Sequence, residues 1–226
     1  MKPKLIIYGI GSMASTYAMY LEQHFDIVAF TMTKELISSP SFNNKPLLPF
    51  EEIETLLSPS EHLFIVAVGY IEFNQLRANI AAQAQDKGFN LTKYVSPSML
   101  GHNTLPIGNN SVILEPSSVH HGSQIGNNTF ISSNVQIGHD CMIGNNVWIN
   151  AGVCLGGGVT IGDDTFVCMN ATIAHDVVIG EKNFIGAATL VTKSTNKDNV
   201  VIAPSGEVLP MNSETFLRFS KSMNND

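Results

Sequence analysis

The sequence predicts a two-part fold: a small Rossmann-like α/β unit over residues 1–95, then a parallel β-helix of six-residue repeats over residues 96–203, then a tail over 204–226 with a helix from Ser213 to Met223. Three observations carry this reading. A β-rich run, a glycine loop and a helical stretch follow one another at the N-terminus. An aliphatic side chain recurs at every sixth position through the second half. That repeat also folds onto itself at eighteen residues, with a different chemistry at each of three corners.

In the first part, Leu5-Ile6-Ile7-Tyr8 is a compact strand, followed by Gly9-Ile10-Gly11-Ser12-Met13-Ala14 and a helical stretch to about Gln23. A second strand runs from Asp26 to Phe30. Leu63 to Gly69 reads as a buried parallel strand, with a helix from about Phe73 to Lys87 behind it. The alternation is that of a truncated doubly wound sheet, in which ligands sit at the carboxyl ends of the strands. Gly9, Gly11 and Gly69 close such ends and are the candidate contacts for a nucleotide. The GxGxxA loop would present backbone N–H groups and a helix N-terminus to a phosphate. The same glycines equally serve a tight turn and close helix packing. The acidic residue that a dinucleotide site wants after the second strand is replaced by Thr31-Met32-Thr33.

In the second part the six-residue series runs from Ile107 through Ile113, Val119 and Ile125 to Ile185 and Val191 without a miss, fifteen positions in all. Small or β-branched residues such as Ser111, Ser123, Thr129, Cys141 and Val147 stand two positions before each. Alternate residues of a strand point the same way, so both sets line a core and the remaining positions form corners. Three hexads make one triangular coil of eighteen residues.

The corners differ. The first carries Asn-Asn and Asp-Asp pairs, 109–110, 127–128, 145–146 and 163–164, residues that tolerate turn dihedrals. The second carries smaller residues, Ser133-Asn134 and Ala151-Gly152 among them, compatible with a subunit contact. The third reads His121-Gly122, His139-Asp140, Gly157-Gly158, His175-Asp176. Turn geometry does not require imidazole there, which makes this edge the candidate site; the alternative is that His stands in for Asn in a left-handed turn. Phe130, Trp148, Phe166 and Phe184 form an outward column at the same spacing. An outward ladder of rings needs covering, and a trimer interface is the expected cover.

Bulk properties bound the function. Of 226 residues, 44% are hydrophobic and 14% charged, which is globular composition. A formal charge of −7 argues against nucleic acid or an anionic membrane as the main partner. The apolar run at Leu5–Tyr8 is too short for a signal peptide, and no stretch reaches membrane-spanning length. Cys141, Cys154 and Cys168 have no ligand-like spacing and read as idle thiols, fitting a reducing cytoplasm.

On these motifs the chain resembles the nucleotide-sugar N-acetyltransferases of the bacillosamine and perosamine pathways, with the sialic-acid O-acetyltransferases beside them. The resemblance spans nearly the whole chain and implies a left-handed β-helix, a homotrimer, acetyl-CoA lying between adjacent prisms, and no metal. His139-Asp140-Cys141-Met142-Ile143-Gly144 matches the family's catalytic histidine, acidic neighbour and Cys-x-Ile-Gly. Gly157 takes the place of the glycine whose N–H meets the thioester carbonyl. His121 is then placed at the acceptor sugar and His175 at the border of the coenzyme groove. Trp148 replaces a further histidine found in some members, and Val201-Ile202-Ala203-Pro204-Ser205 replaces the usual glycine-x-proline-alanine ending. Three other readings stay open: O-acetylation of a sialic-acid-type sugar, a noncatalytic nucleotide-sugar sensor, and a γ-type carbonic anhydrase. The last would use His121, His139 and His175 on zinc, but a second histidine close by on one coil is missing, with Gly180 as an example.

Overall fold

The computed structural model describes residues 1–99 and 104–223. The N-terminal unit consists of β1 (Lys4–Tyr8), α1 (Ser12–Leu21), β2 (Asp26–Met32), β3 (Ser41–Phe42), β4 (Lys45–Pro49), α2 (Ile53–Leu56), β5 (His62–Val66), α3 (Gln75–Asp86) and β6 (Asn90–Leu91). Its sheet order is β3-β4-β2-β1-β5-β6, with every pair parallel except the β3–β4 hairpin. Strand order reverses between β1 and β5. The loops that follow these two strands therefore lie side by side, and the sheet opens a crevice at that point. β1 and β5 are almost wholly apolar because α1 covers one face and α3 the other.

Between Tyr94–Val95 and Val200–Val201 the described residues wind as a β-helix of two-residue strands. Paired strands run parallel and stand eighteen residues apart, except at the last rung, where Phe184–Ile185 pairs with Val200–Val201, so three sheets form three faces. The first face holds Gln124–Ile125, Met142–Ile143, Thr160–Ile161 and Val178–Ile179. The second holds Phe130–Ile131, Trp148–Ile149, Phe166–Val167 and Phe184–Ile185, with Tyr94–Val95 at its head. The third holds Ser118–Val119, Gln136–Ile137, Cys154–Leu155 and their successors. All fifteen members of the aliphatic series are buried in one core, each gaining about 1.5–3 kcal/mol from leaving water. The hydroxyls among the inward residues are satisfied by backbone: Ser111 Oγ donates to Gly126 O at 2.7 Å, and Ser123 Oγ to Gly138 O at 2.7 Å. Cys141 follows the same pattern, its Sγ lying 3.2 Å from Gly156 O, and burial pushes its thiol upward in pKa. The tail ends in a helix, α4 (Ser213–Met223).

The aromatic column is covered, but not by a partner subunit. Phe130, Trp148 and Phe166 are buried beneath the chain's own N-terminal unit. Tyr17 of α1 stacks on Phe130 at 6.2 Å between ring centroids, and Tyr70 meets Phe166 at 4.7 Å and Trp148 at 5.5 Å. The α/β unit and the prism each leave an apolar face, and joining them within one chain avoids the translational cost of recruiting a second molecule. The trimer expectation therefore loses this column as its support.

Hydrogen bonds fix the seam. From the start of α3, Asn74 Nδ2 donates to Asn146 O at 2.5 Å, Gln75 Nε2 to Asp164 Oδ1 at 2.7 Å, and Arg77 Nη2 to Asn128 O at 2.6 Å. The Arg77 guanidinium, 1% exposed, also lies 5.1 Å over the Trp148 ring. Burial lowers its pKa to about 10, and burial raises that of neighbouring Tyr17 to about 12. Among the described residues no carboxylate pairs with the cation; the Trp148 ring face and the Asn128 carbonyl hold it.

Trp148 is the single tryptophan of the chain, so its emission reports this seam alone. In Tyr17→Ala the loss of a buried ring is expected to cost about 3–5 kcal/mol at the seam. Urea should then red-shift the Trp148 emission earlier than in the parent, while the far-ultraviolet β signal of the prism keeps its own midpoint.

Candidate functional site

The third corner is built by its backbone. Asp140 has φ 57, the left-handed region that Asp tolerates better than most residues. Its N–H donates to His121 O at 3.0 Å one coil earlier, and the Gly158 N–H donates to His139 O at 2.9 Å one coil later. The turn holding His139 is thus clamped from both sides. On this support His139 Nδ1 lies 2.9 Å from Asp140 Oδ2, with the two side chains 65% and 68% exposed. An ionised carboxylate only accepts, so Nδ1 carries the proton and the neutral ring offers an unprotonated Nε2.

Gly157 is buried next to that ring. A methyl group there would stand 2.5 Å from His139 Nε2, so any side chain at 157 would displace the imidazole from this position. The Gly157 N–H, expected to be free for a thioester carbonyl, instead donates to His175 Nδ1 at 2.9 Å. His175 accepts at Nδ1, which puts its proton on Nε2. The two histidines therefore hold opposite tautomers. The first corner explains why: there Asn127 Oδ1 accepts from Asn109 N, and Asn145 Oδ1 from Asn127 N, both at 2.9 Å. His175 does the work that asparagine does on the other edge. His139 does not, because Asp140 takes its Nδ1.

A groove of about 880 Å³ opens beside His139. It is lined by Thr104, Leu105 and Pro106, by residues 118–124, and by His139 itself. His121 and His139 are brought together here; Gly157 and His175 lie outside the lining. His120, which the sequence reading passed over, also lines the groove; its place directly before the corner residue His121 was the available signal. His121 and His139 stand one coil apart and His175 two coils beyond His121's neighbour, and no group of three metal-ligating side chains gathers among the described residues.

In the N-terminal unit the three glycines divide by role. Gly9 has φ 125, and a methyl group there would sit 2.8 Å from Ala67 O, so the backbone itself requires glycine. Gly11 precedes α1 with an ordinary φ of −94, and a methyl group there or at Gly69 would meet nothing within 4 Å. Those two positions face open space at the crevice.

The two regions lie on opposite sides of the prism. The N-terminal unit covers the second face, and the His139 corner is the edge between the third face and the first. In a triangular cross-section that edge is opposite the covered face.

The repeats match the model of the bacterial transferase hexapeptide (six repeats) over residues 122–157, 140–174 and 158–193. Comparison with curated proteins gives no match. Among solved structures the chain is similar to the acetyltransferase domain of PglB from Neisseria gonorrhoeae, at 22% identity and a TM-score of 0.78, covering 92% of this chain and 100% of that one. It is also similar to PerB from Caulobacter crescentus, solved with CoA and GDP-perosamine, at 22% identity and a TM-score of 0.79, covering 88% and 94%. WeeI from Acinetobacter baumannii matches at 16% identity and a TM-score of 0.64, covering 91% and 99%. The fold is therefore an α/β unit followed by a left-handed hexapeptide β-helix. No helix among the described residues is long and apolar enough to cross a membrane.

The asparagine-like part played by His175 is open to test. In His175→Leu the Gly157 N–H loses its acceptor, at an expected cost of about 1–3 kcal/mol. In His175→Asn an oxygen takes over, and thermal unfolding should stay close to that of the parent.

Proposed function

We propose that the chain is an acetyl-CoA-dependent N-acetyltransferase acting on the amino group of a nucleotide-linked amino sugar, with His139 as general base. The observation that carries this reading is the His139–Asp140 pair, which leaves a bare Nε2 beside a groove large enough for a substrate. The bound CoA and GDP-perosamine of the similar PerB structure agree with it.

In this mechanism the acceptor amine attacks the thioester carbonyl directly. The C–N bond forms, the amine proton passes to His139 Nε2, and the C–S bond breaks as the tetrahedral intermediate collapses. The same proton then goes to the leaving thiolate, releasing CoA as the thiol. Imidazole can both take up and give back a proton near neutral pH, which suits both transfers. Asp140 holds the ring in the tautomer that presents Nε2 and offsets the positive charge that develops. His121 borders the acceptor side. For Gly157 to serve as oxyanion donor, the thioester oxygen has to replace His175 Nδ1 as the partner of its N–H.

The nucleotide is assigned to Gly11 and Gly69 at the crevice of the N-terminal unit. Because His139 lies on the edge opposite that unit, a second copy of the chain has to bring its own unit to this edge. A homotrimer, with the small-residue corner at its contacts and acetyl-CoA between prisms, supplies it. This geometry replaces the aromatic column as the ground for assembly.

Amine- and hydroxyl-bearing sugar nucleotides offered with acetyl-CoA, with thiol release followed, test the reading. His139→Asn is expected to lower turnover about 10²–10⁴-fold with acetyl-CoA affinity little changed, and His175→Asn to cost far less. Loss at His175 with retention at His139 would reverse the assignment.

Gly11→Leu is expected to fold normally, since nothing occupies the space, yet to lose sugar-nucleotide binding by more than about tenfold. Light scattering should give about three times the 24.5 kDa chain mass. Co-assembling Gly11→Leu with His139→Asn should restore activity neither variant has alone. Failure to complement would place both halves of the site on one chain.

A further inference from the structure

We propose that Gly122, which no part of the mechanism above uses, is a positioning residue that holds the Asp140 carboxylate against His139; this rests on the general-base reading of His139. The third corner alternates strictly along the prism: Gly122, Asp140, Gly158, Asp176, each at positive φ. The alternation is steric. A methyl group on Gly122 would overlap Asp140 Oδ1, and one on Gly158 would overlap Asp176 Oδ1. Each carboxylate occupies the space that its glycine leaves empty one coil before.

The first corner shows that the turn itself does not demand this. There Asn110, Asn128, Asn146 and Asp164 follow one another at φ 55–60 with no glycine among them. Their side chains stack in a hydrogen-bonded row, Asn110 Nδ2 donating to Asn128 Oδ1 at 2.9 Å and Asn146 Nδ2 to Asp164 Oδ1 at 3.1 Å. Left-handed geometry is met equally by asparagine, so positive φ alone does not require glycine at 122. With Oδ1 lodged over Gly122, the other oxygen, Oδ2, is turned to His139 Nδ1 at 2.9 Å. A side chain at 122 would swing the carboxylate away, release the ring, and free Nδ1 to take the lone pair that belongs on Nε2.

The test is a double-substitution cycle of Gly122→Ala and Asp140→Ala in the full-length protein. Each single change is expected to lower kcat about tenfold to hundredfold, less than loss of the base itself, with the KM for acetyl-CoA unchanged. The double variant should be no slower than Asp140→Ala alone. Multiplying effects, or a loss confined to the acceptor KM, would show that Gly122 acts on substrate directly and would overturn the proposal.

Gly152→Ala is the matched stability control. It has φ 75 and its methyl group would overlap Asn170 Oδ1 on a corner without histidine, so it measures what the strain alone costs. A second readout needs no turnover: the His139 Nδ1 proton, observed by nitrogen-15 NMR, should be hydrogen-bonded in the parent and lost in both single variants. Retention of that signal in Gly122→Ala would refute the positioning role even if the acetyl-transfer reading failed. Its loss would uphold the role whatever reaction the corner performs.

Discussion

Everything in the second half depends on the inward aliphatic side chain at each sixth residue. With two-residue strands, no single pairing is strong, and register comes from the requirement that Ile, Leu or Val reach the axis three times per coil. A one-residue slip would turn each of them out to water. Because the slip is forbidden, residues eighteen apart are held directly above one another. Corner chemistry can then be written as columns: amides stacked on one edge, small residues on another, imidazoles and carboxylates on the third. The site is a by-product of that enforced register.

The same columnar order governs what could be read from the sequence. Period six, the three corners and the buried Cys141 were legible because each depends on local spacing. The strands and glycine loop of the N-terminal unit were legible for the same reason, with ends displaced by a few residues; β2 continues to Met32 and β5 stops at Val66. What covers the aromatic column was not, since exposure of Phe130 and Trp148 on the prism says that a lid is needed but not whose. Tyr17 and Arg77 give no sign in the sequence that they would meet it.

The histidines divide in the same way. Their shared column was visible, but the separation of His139 from His175 rests on hydrogen-bond partners. Asp140 and Asp176 look alike in sequence, and both follow a histidine. Only in three dimensions does His175 Nδ1 turn to the Gly157 amide while His139 Nδ1 turns to its neighbour's carboxylate. A repeat thus disguises function: identical dipeptides do different work because the coil beneath each is different.

Winding in whole coils also makes distance along the prism discrete. Adjacent strands lie about 4.8 Å apart, so side chains on one corner can only be moved relative to each other in steps of that size. Adding or removing eighteen residues beyond the His175 coil would lengthen or shorten the prism without disturbing the groove or the seam around Trp148. An insertion of the same length between Gly122 and His139 would instead move the imidazole a full step away from the groove wall. Such a protein is a ruler whose graduations are strands, and its chemistry is tied to particular marks.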